Sequence, residues 1–105
     1  MLHVTEETRA GWHVVIPRGR VDNLTADDLA AVLRAAVAAH LHVAVDCAGV
    51  DYLSSSGLGA LLEGARAAHD ANREFRVCAP AARVRQIFEL NRLNHILNVQ
   101  EALPC

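Results

Sequence analysis

Lysine is absent from this 105-residue sequence; all ten basic residues are arginine. That excludes a lysine nucleophile, Schiff-base chemistry and the Gly-x-x-x-x-Gly-Lys-Ser/Thr phosphate loop. Gly-x-Gly-x-x-Gly is missing too, so neither common nucleotide cradle is present. Aromatic residues supply only 4% of the chain against 52% apolar residues overall. The core must therefore be aliphatic, which favours helices on a sheet over an aromatic-rich β-sandwich. A net charge of −2 lacks the basic balance that phosphate neutralisation needs, so nucleic acid is not an expected partner. Cys47, Cys78 and Cys105 are an odd count without close spacing, which suits neither a disulfide framework nor a zinc site. Cys47 and Cys78 each end a strand-like run, where a buried thiol acts as a small apolar group. Residues 1–8 hold no basic segment leading into a long apolar one, and no run approaches a membrane span. Neither a signal peptide nor membrane insertion is expected, and the expected compartment is the cytoplasm.

The length fits one domain, residues 1–105, with a substantial core. Residues 2–8 alternate loosely and read as an edge strand. A short turn, Arg9-Ala10-Gly11, joins them to a second strand at 12–17, so the two form an antiparallel hairpin. Residues 18–22 then leave the sheet. Thr25 is a candidate N-cap, followed by Asp27 and Asp28 in the first helical turn. Leu29, Val32, Leu33, Ala36 and Val37 form one apolar stripe of a helix ending near His40.

The central stretch, 43–62, organises the rest. Residues 43–47 read as a buried strand. A serine-rich loop follows, then a helix from about Ser56 to Ala71 with Leu58, Leu61, Leu62 and Ala65 inward. A strand at 75–79 precedes a third helix, with Pro80 in its first turn and Val84, Ile87 and Phe88 inward. Residues 96–99 give a last short strand and 100–103 a terminal turn. The predicted order is ββαβαβαβ. This is a small α/β domain with a mixed sheet, its hairpin antiparallel and its other strands parallel, packed by three to four helices.

Ser54, Ser55, Ser56 and Gly57 are the one constellation that suggests chemistry. Two readings stand. The serines cap the helix, or one of them is modified or binds a ligand where the helix dipole favours an anion. A nucleophile elbow would need glycine two residues before the serine, but Leu53 precedes Ser55 and Ser54 precedes Ser56 in that position. The histidines, at 3, 13, 40, 42, 69 and 95, fall mostly at helix ends or on surface faces. No catalytic set, metal site or cofactor is expected.

The chain resembles the STAS domain family of sulfate transporters and anti-sigma factor antagonists, and within it the free-standing bacterial antagonists. Gly19-Arg20-Val21-Asp22 is similar to the family's Gly-x-Leu/Val-Asp signature. Val45-Asp46, then Leu53-Ser54-Ser55-Ser56-Gly57-Leu58-Gly59, is similar to its central strand and Asp-Ser-Ser/Thr-Gly-Leu-Gly motif. Pro80, Ala81, Val84, Phe88, Leu93 and the tail 101–103 match its closing helix. The resemblance spans essentially the whole chain.

It implies a phosphorylation-controlled partner switch. The unmodified antagonist binds an anti-sigma factor that is also a serine kinase, phosphorylation breaks that binding, and a phosphatase acting on phosphoserine restores it. The resemblance places the accepting serine at Ser55, with Ser54 and Ser56 as flanking alternatives, and a partner-binding face at Asp22, Asn23 and residues 54–58, including Gly57 and Leu58. One position departs: Ser54 stands where the family usually has Asp. That keeps open a non-cycling STAS scaffold or accessory subunit of a stress-signalling or lipid-transport complex.

Overall fold

The computed structural model describes residues 2–103; Cys105 lies outside them. β1 (Leu2–Arg9) and β2 (Trp12–Val21) form the antiparallel hairpin, in register from Leu2 opposite Gly19 to Arg9 opposite Trp12. Ala10 and Gly11 close it at φ 52° and 83°. Positive φ at both loop residues suits the right-handed twist of the flanking strands.

α1 (Ala26–Ala39), β3 (His42–Asp46), β4 (Val50–Leu53), α2 (Ser55–Asp70), β5 (Glu74–Cys78), α3 (Ala82–Leu90) and β6 (Val99–Gln100) follow. The sheet runs β1-β2-β3-β5-β6, with β4 also paired to β2. Every pairing except the hairpin is parallel. The fold class is the expected one, with one strand added to the expected order and three helices among the described residues.

The core follows the periodicities. The α1 stripe of Leu29, Leu33, Ala36 and Val37 is buried with Leu61, Ala65 and Ala68 of α2 against Val15, Val43, Val45 and Val77 of the sheet. The opposite sheet face holds a smaller cluster, Val14, Ile16, Ala44 and Cys78, flanked by Trp12 and Leu103. β2 and β3 are therefore buried on both faces, as continuous apolar runs require.

Four local readings are corrected. β2 does not leave the sheet at residue 18 but runs on to Val21, with Gly19 at φ 110° and a register shift between Gly19 and Arg20. β4 fills what reads as loop, because β2's extra length gives it a partner. Thr25 stands at the N-cap of α1 but makes no side-chain cap. The last strand is only Val99–Gln100, and turns occupy most of 91–98.

Candidate functional site

β2 and β4 run parallel and stop together, with Val21 opposite Leu53. The next residue of β4's chain, Ser54, donates its N–H to the Val21 carbonyl at 2.9 Å. This bond anchors the start of α2 beside the loop that begins at Asp22. Seven of the expected residues are thereby brought to one end of the sheet: Asp22 and Asn23 on one segment, and Ser54 to Leu58 on the other.

The three serines divide the work. Ser54 has extended backbone, φ −84° and ψ 176°, and its Oγ accepts the Gly57 N–H at 3.1 Å. Its carbonyl accepts the Leu58 N–H at 2.8 Å. Ser54 is thus the N-cap, and α2 begins at Ser55 rather than Ser56. Ser55 and Ser56 occupy the first helical positions, exposed, with no side-chain hydrogen bond among the described residues. Their N–H groups open the helix with no turn of carbonyls behind them, where added negative charge is stabilised. Among the described residues no base is bonded to either hydroxyl.

Gly57 is what lets the helix start here. A Cβ on it would lie 2.7 Å from the Val21 carbonyl oxygen and 2.8 Å from both Leu53 Cδ1 and Val21 Cγ1. Any side chain would push α2 off the ends of β2 and β4. Gly59 meets no such need: a Cβ there has nothing within 4 Å.

The Asp22 loop is held by its own polar groups. Asp22 Oδ1 accepts the Leu24 N–H at 2.9 Å, and Thr25 Oγ1 accepts the Asp22 N–H at 3.0 Å while donating to the Arg20 carbonyl at 2.9 Å. The Thr25 hydroxyl is thus turned back toward β2, which is why it does not cap α1. Donation from Leu24 N–H, aided by Thr25 and by the Arg20 guanidinium, holds the Asp22 carboxyl below the usual carboxylate range against a smaller opposing effect of desolvation.

Three further residues stand at this end of the sheet. Arg20 lies 4.0 Å over the Tyr52 ring and 3.7 Å from Asp22 Oδ2. That pair depends on the β2–β4 pairing, which no sequence period announces. Leu24 is 82% exposed and is legible in the sequence as a large apolar residue just outside the α1 stripe. With Leu2, Asp22, Thr25 and Asp28 it lines a shallow cleft. Asp51 is exposed on β4, four residues before Ser55. Among the described residues no cluster of three or more His, Cys, Asp or Glu can hold a metal ion, and no helix is long and apolar enough to cross a membrane.

A family model described as Mlab, STAS domain matches residues 6–100. No curated protein sequence matches the chain significantly. Among solved structures, an anti-sigma factor antagonist from Mycobacterium paratuberculosis superposes with a TM-score of 0.83 at 25% identity, over 98% of this chain and 88% of that one. The anti-sigma factor antagonist SpoIIAA in its unphosphorylated form superposes at 0.79 and 17% identity, over 97% and 89%. The phosphorylated form of SpoIIAA, described as a Bacillus cell fate determinant, superposes at 0.74 and 16% identity, over 97% and 92%.

Proposed function

From the premise that the chain belongs to the STAS domain family, we propose that it is an anti-sigma factor antagonist acting in the cytoplasm, a binding module rather than an enzyme. Its partner is an anti-sigma factor with serine kinase activity. The unmodified chain binds that partner and frees the sigma factor, phosphorylation of Ser55 ends the binding, and a phosphoserine phosphatase restores it. Regulation of transcription is indirect, without nucleic-acid contact.

The observation that supports this reading most is the division among the serines. Ser54 is committed to capping, while Ser55 offers a free, exposed hydroxyl beside the anchored Asp22 loop. Phosphate at Ser55 adds about −1.5 to −2 charges at a helix N-terminus, where the fold accepts them. The cost falls on a partner surface matched to a neutral hydroxyl and on the ionised Asp22 nearby. A loss of ~3 kcal/mol weakens binding by roughly two orders of magnitude.

A second reading is favoured by Ser54 itself. It caps α2 with a neutral hydroxyl where the family usually carries a carboxylate, which suits a scaffold or accessory subunit that never cycles through phosphorylation. Capture from the native host with wild-type, Ser55→Ala and Ser55→Asp baits separates the two. Retention of a kinase-type ATPase by wild type and Ser55→Ala, and its loss with Ser55→Asp, supports the switch. Capture of a transporter complex or large assembly indifferent to residue 55 overturns it.

A further inference from the structure

Along α2, Ser55, Gly59, Leu62 and Arg66 recur at spacings of four, three and four residues and so share one face. Gly57, Ala60, Leu61, Gly64, Ala65 and Ala68 are the buried side of the helix; Ser55, Gly59 and Arg66 are exposed on the other side, and Leu62 among them is half-buried, packed in part against the core as its place in the α2 stripe requires. Two features of this side of the helix have no counterpart within the described fold.

The first is Gly59. A glycine inside a helix costs backbone entropy that other helix formers do not. Gly57 and Gly64 repay it through packing, since a Cβ on Gly64 would lie 3.1 Å from Leu33 Cδ1 and 3.2 Å from Phe75 Cε1. Gly59 has no positive φ and nothing within 4 Å of a Cβ. Nothing in the described fold asks for glycine there, and its effect is a flat spot one turn beyond Ser55.

The second lies further along the same face. Beyond Leu62 is a groove whose wall includes Leu62 and Ile96, the latter 59% exposed, and whose rim carries Arg66, His69, Asp70 and His95. Arg66 makes no ion pair among the described residues, because Glu63, on the preceding turn, is engaged by Arg34 at 3.0 Å. An unpaired guanidinium beside exposed apolar surface calls for a carboxylate next to an apolar side chain.

We propose that the outward face of α2, from Gly59 to the Arg66 groove, is a docking surface for a helix of the anti-sigma factor, which crosses closely at Gly59, sets an apolar side chain against Leu62 and Ile96, and places a carboxylate on Arg66. This rests on the reading given above and extends its interface about two further turns from the modified serine. A helix is the fitting occupant because a missing Cβ on a helical face admits another helix to close approach, ridge into groove. Asp70 is also unpaired among the described residues, so the docked helix carries a cation one turn from its carboxylate.

The test uses the full chain carrying Gly59→Gln or Arg66→Glu, and as probe the purified kinase-type anti-sigma factor retained by the Ser55→Ala bait. Gly59→Gln is expected to raise the melting temperature of the free protein by about 2–5 °C and to weaken calorimetric binding at least about tenfold. Arg66→Glu is expected to weaken binding by a similar factor and to leave the melting temperature unchanged. A lowered melting temperature for Gly59→Gln would show that the glycine serves the fold and overturns the inference. Unchanged affinity of both variants, with Ser55→Asp still losing the probe, overturns the docking surface and leaves the switch standing. If no kinase-type anti-sigma factor is bound even by Ser55→Ala, the functional reading has failed and the docking surface with it.

Discussion

Three residues at the end of the sheet carry separable physical jobs, and each is checked alone. Ser54 satisfies the Gly57 N–H, so Ser54→Ala is expected to cost about 1 kcal/mol in urea unfolding. Ser54→Asp, which keeps a capping oxygen and adds charge at a helix N-terminus, is expected to cost nothing. Gly57→Ala drives a methyl into Val21 and Leu53 and is expected to cost about 1–3 kcal/mol. A neutral result there would mean that α2 is not held against the strand ends. Asp22 titrates lower in the folded chain than in the unfolded one. Its contribution is therefore full above the unfolded carboxylate range and is lost as pH falls through the lower folded value. Carboxyl NMR should place the Asp22 midpoint below the usual range, and a midpoint at or above that range contradicts the loop geometry described.

At the scale of elements, periodicity located what was long. The α1 and α2 stripes, the hairpin and the buried β3 all follow from the spacing of apolar residues, and Leu61→Ala, which empties the α1–α2 core, is expected to cost about 2–5 kcal/mol in the same unfolding assay. The readings that failed were short or paired only in three dimensions. β4 has four residues, two exposed between two buried, which is not an alternation. The second half of β2 contains Pro17 and Gly19, which look like breakers, but the strand runs through both: Pro17 keeps its register opposite Val4, and Gly19 takes a positive φ with a register shift after it. β6 has two residues. The site shared this division. Ser54, Ser55 and Gly57 are contiguous and could be read together, whereas the proximity of Asp22 to them depends on the unread β2–β4 pairing, and reached the sequence reading only through a family resemblance.

At the scale of the whole molecule, the aliphatic core buries two thiols in opposite sheet faces. Burial pushes Cys47 up to about 12 and Cys78 up to about 11. The thiolate is the reactive form, so iodoacetamide at pH 8 should leave both unmodified in the native chain and label both after unfolding. Native labelling of either would mean that the sheet opens. The packing at the start of α2 bears on the proposed switch. Ser55 is exposed on a helix whose start is fixed by Ser54, Gly57 and the bond to Val21, so a phosphate there should change what the surface presents and not how the chain folds. The most direct test is the affinity of the kinase-type anti-sigma factor for the chain before and after stoichiometric phosphorylation, with the modified residue mapped by mass spectrometry. Phosphate is expected on Ser55, with binding weaker by roughly a hundredfold and the melting temperature of the free chain nearly unchanged. Phosphate on Ser55 with unaltered affinity, or modification confined to another residue, would contradict the switch.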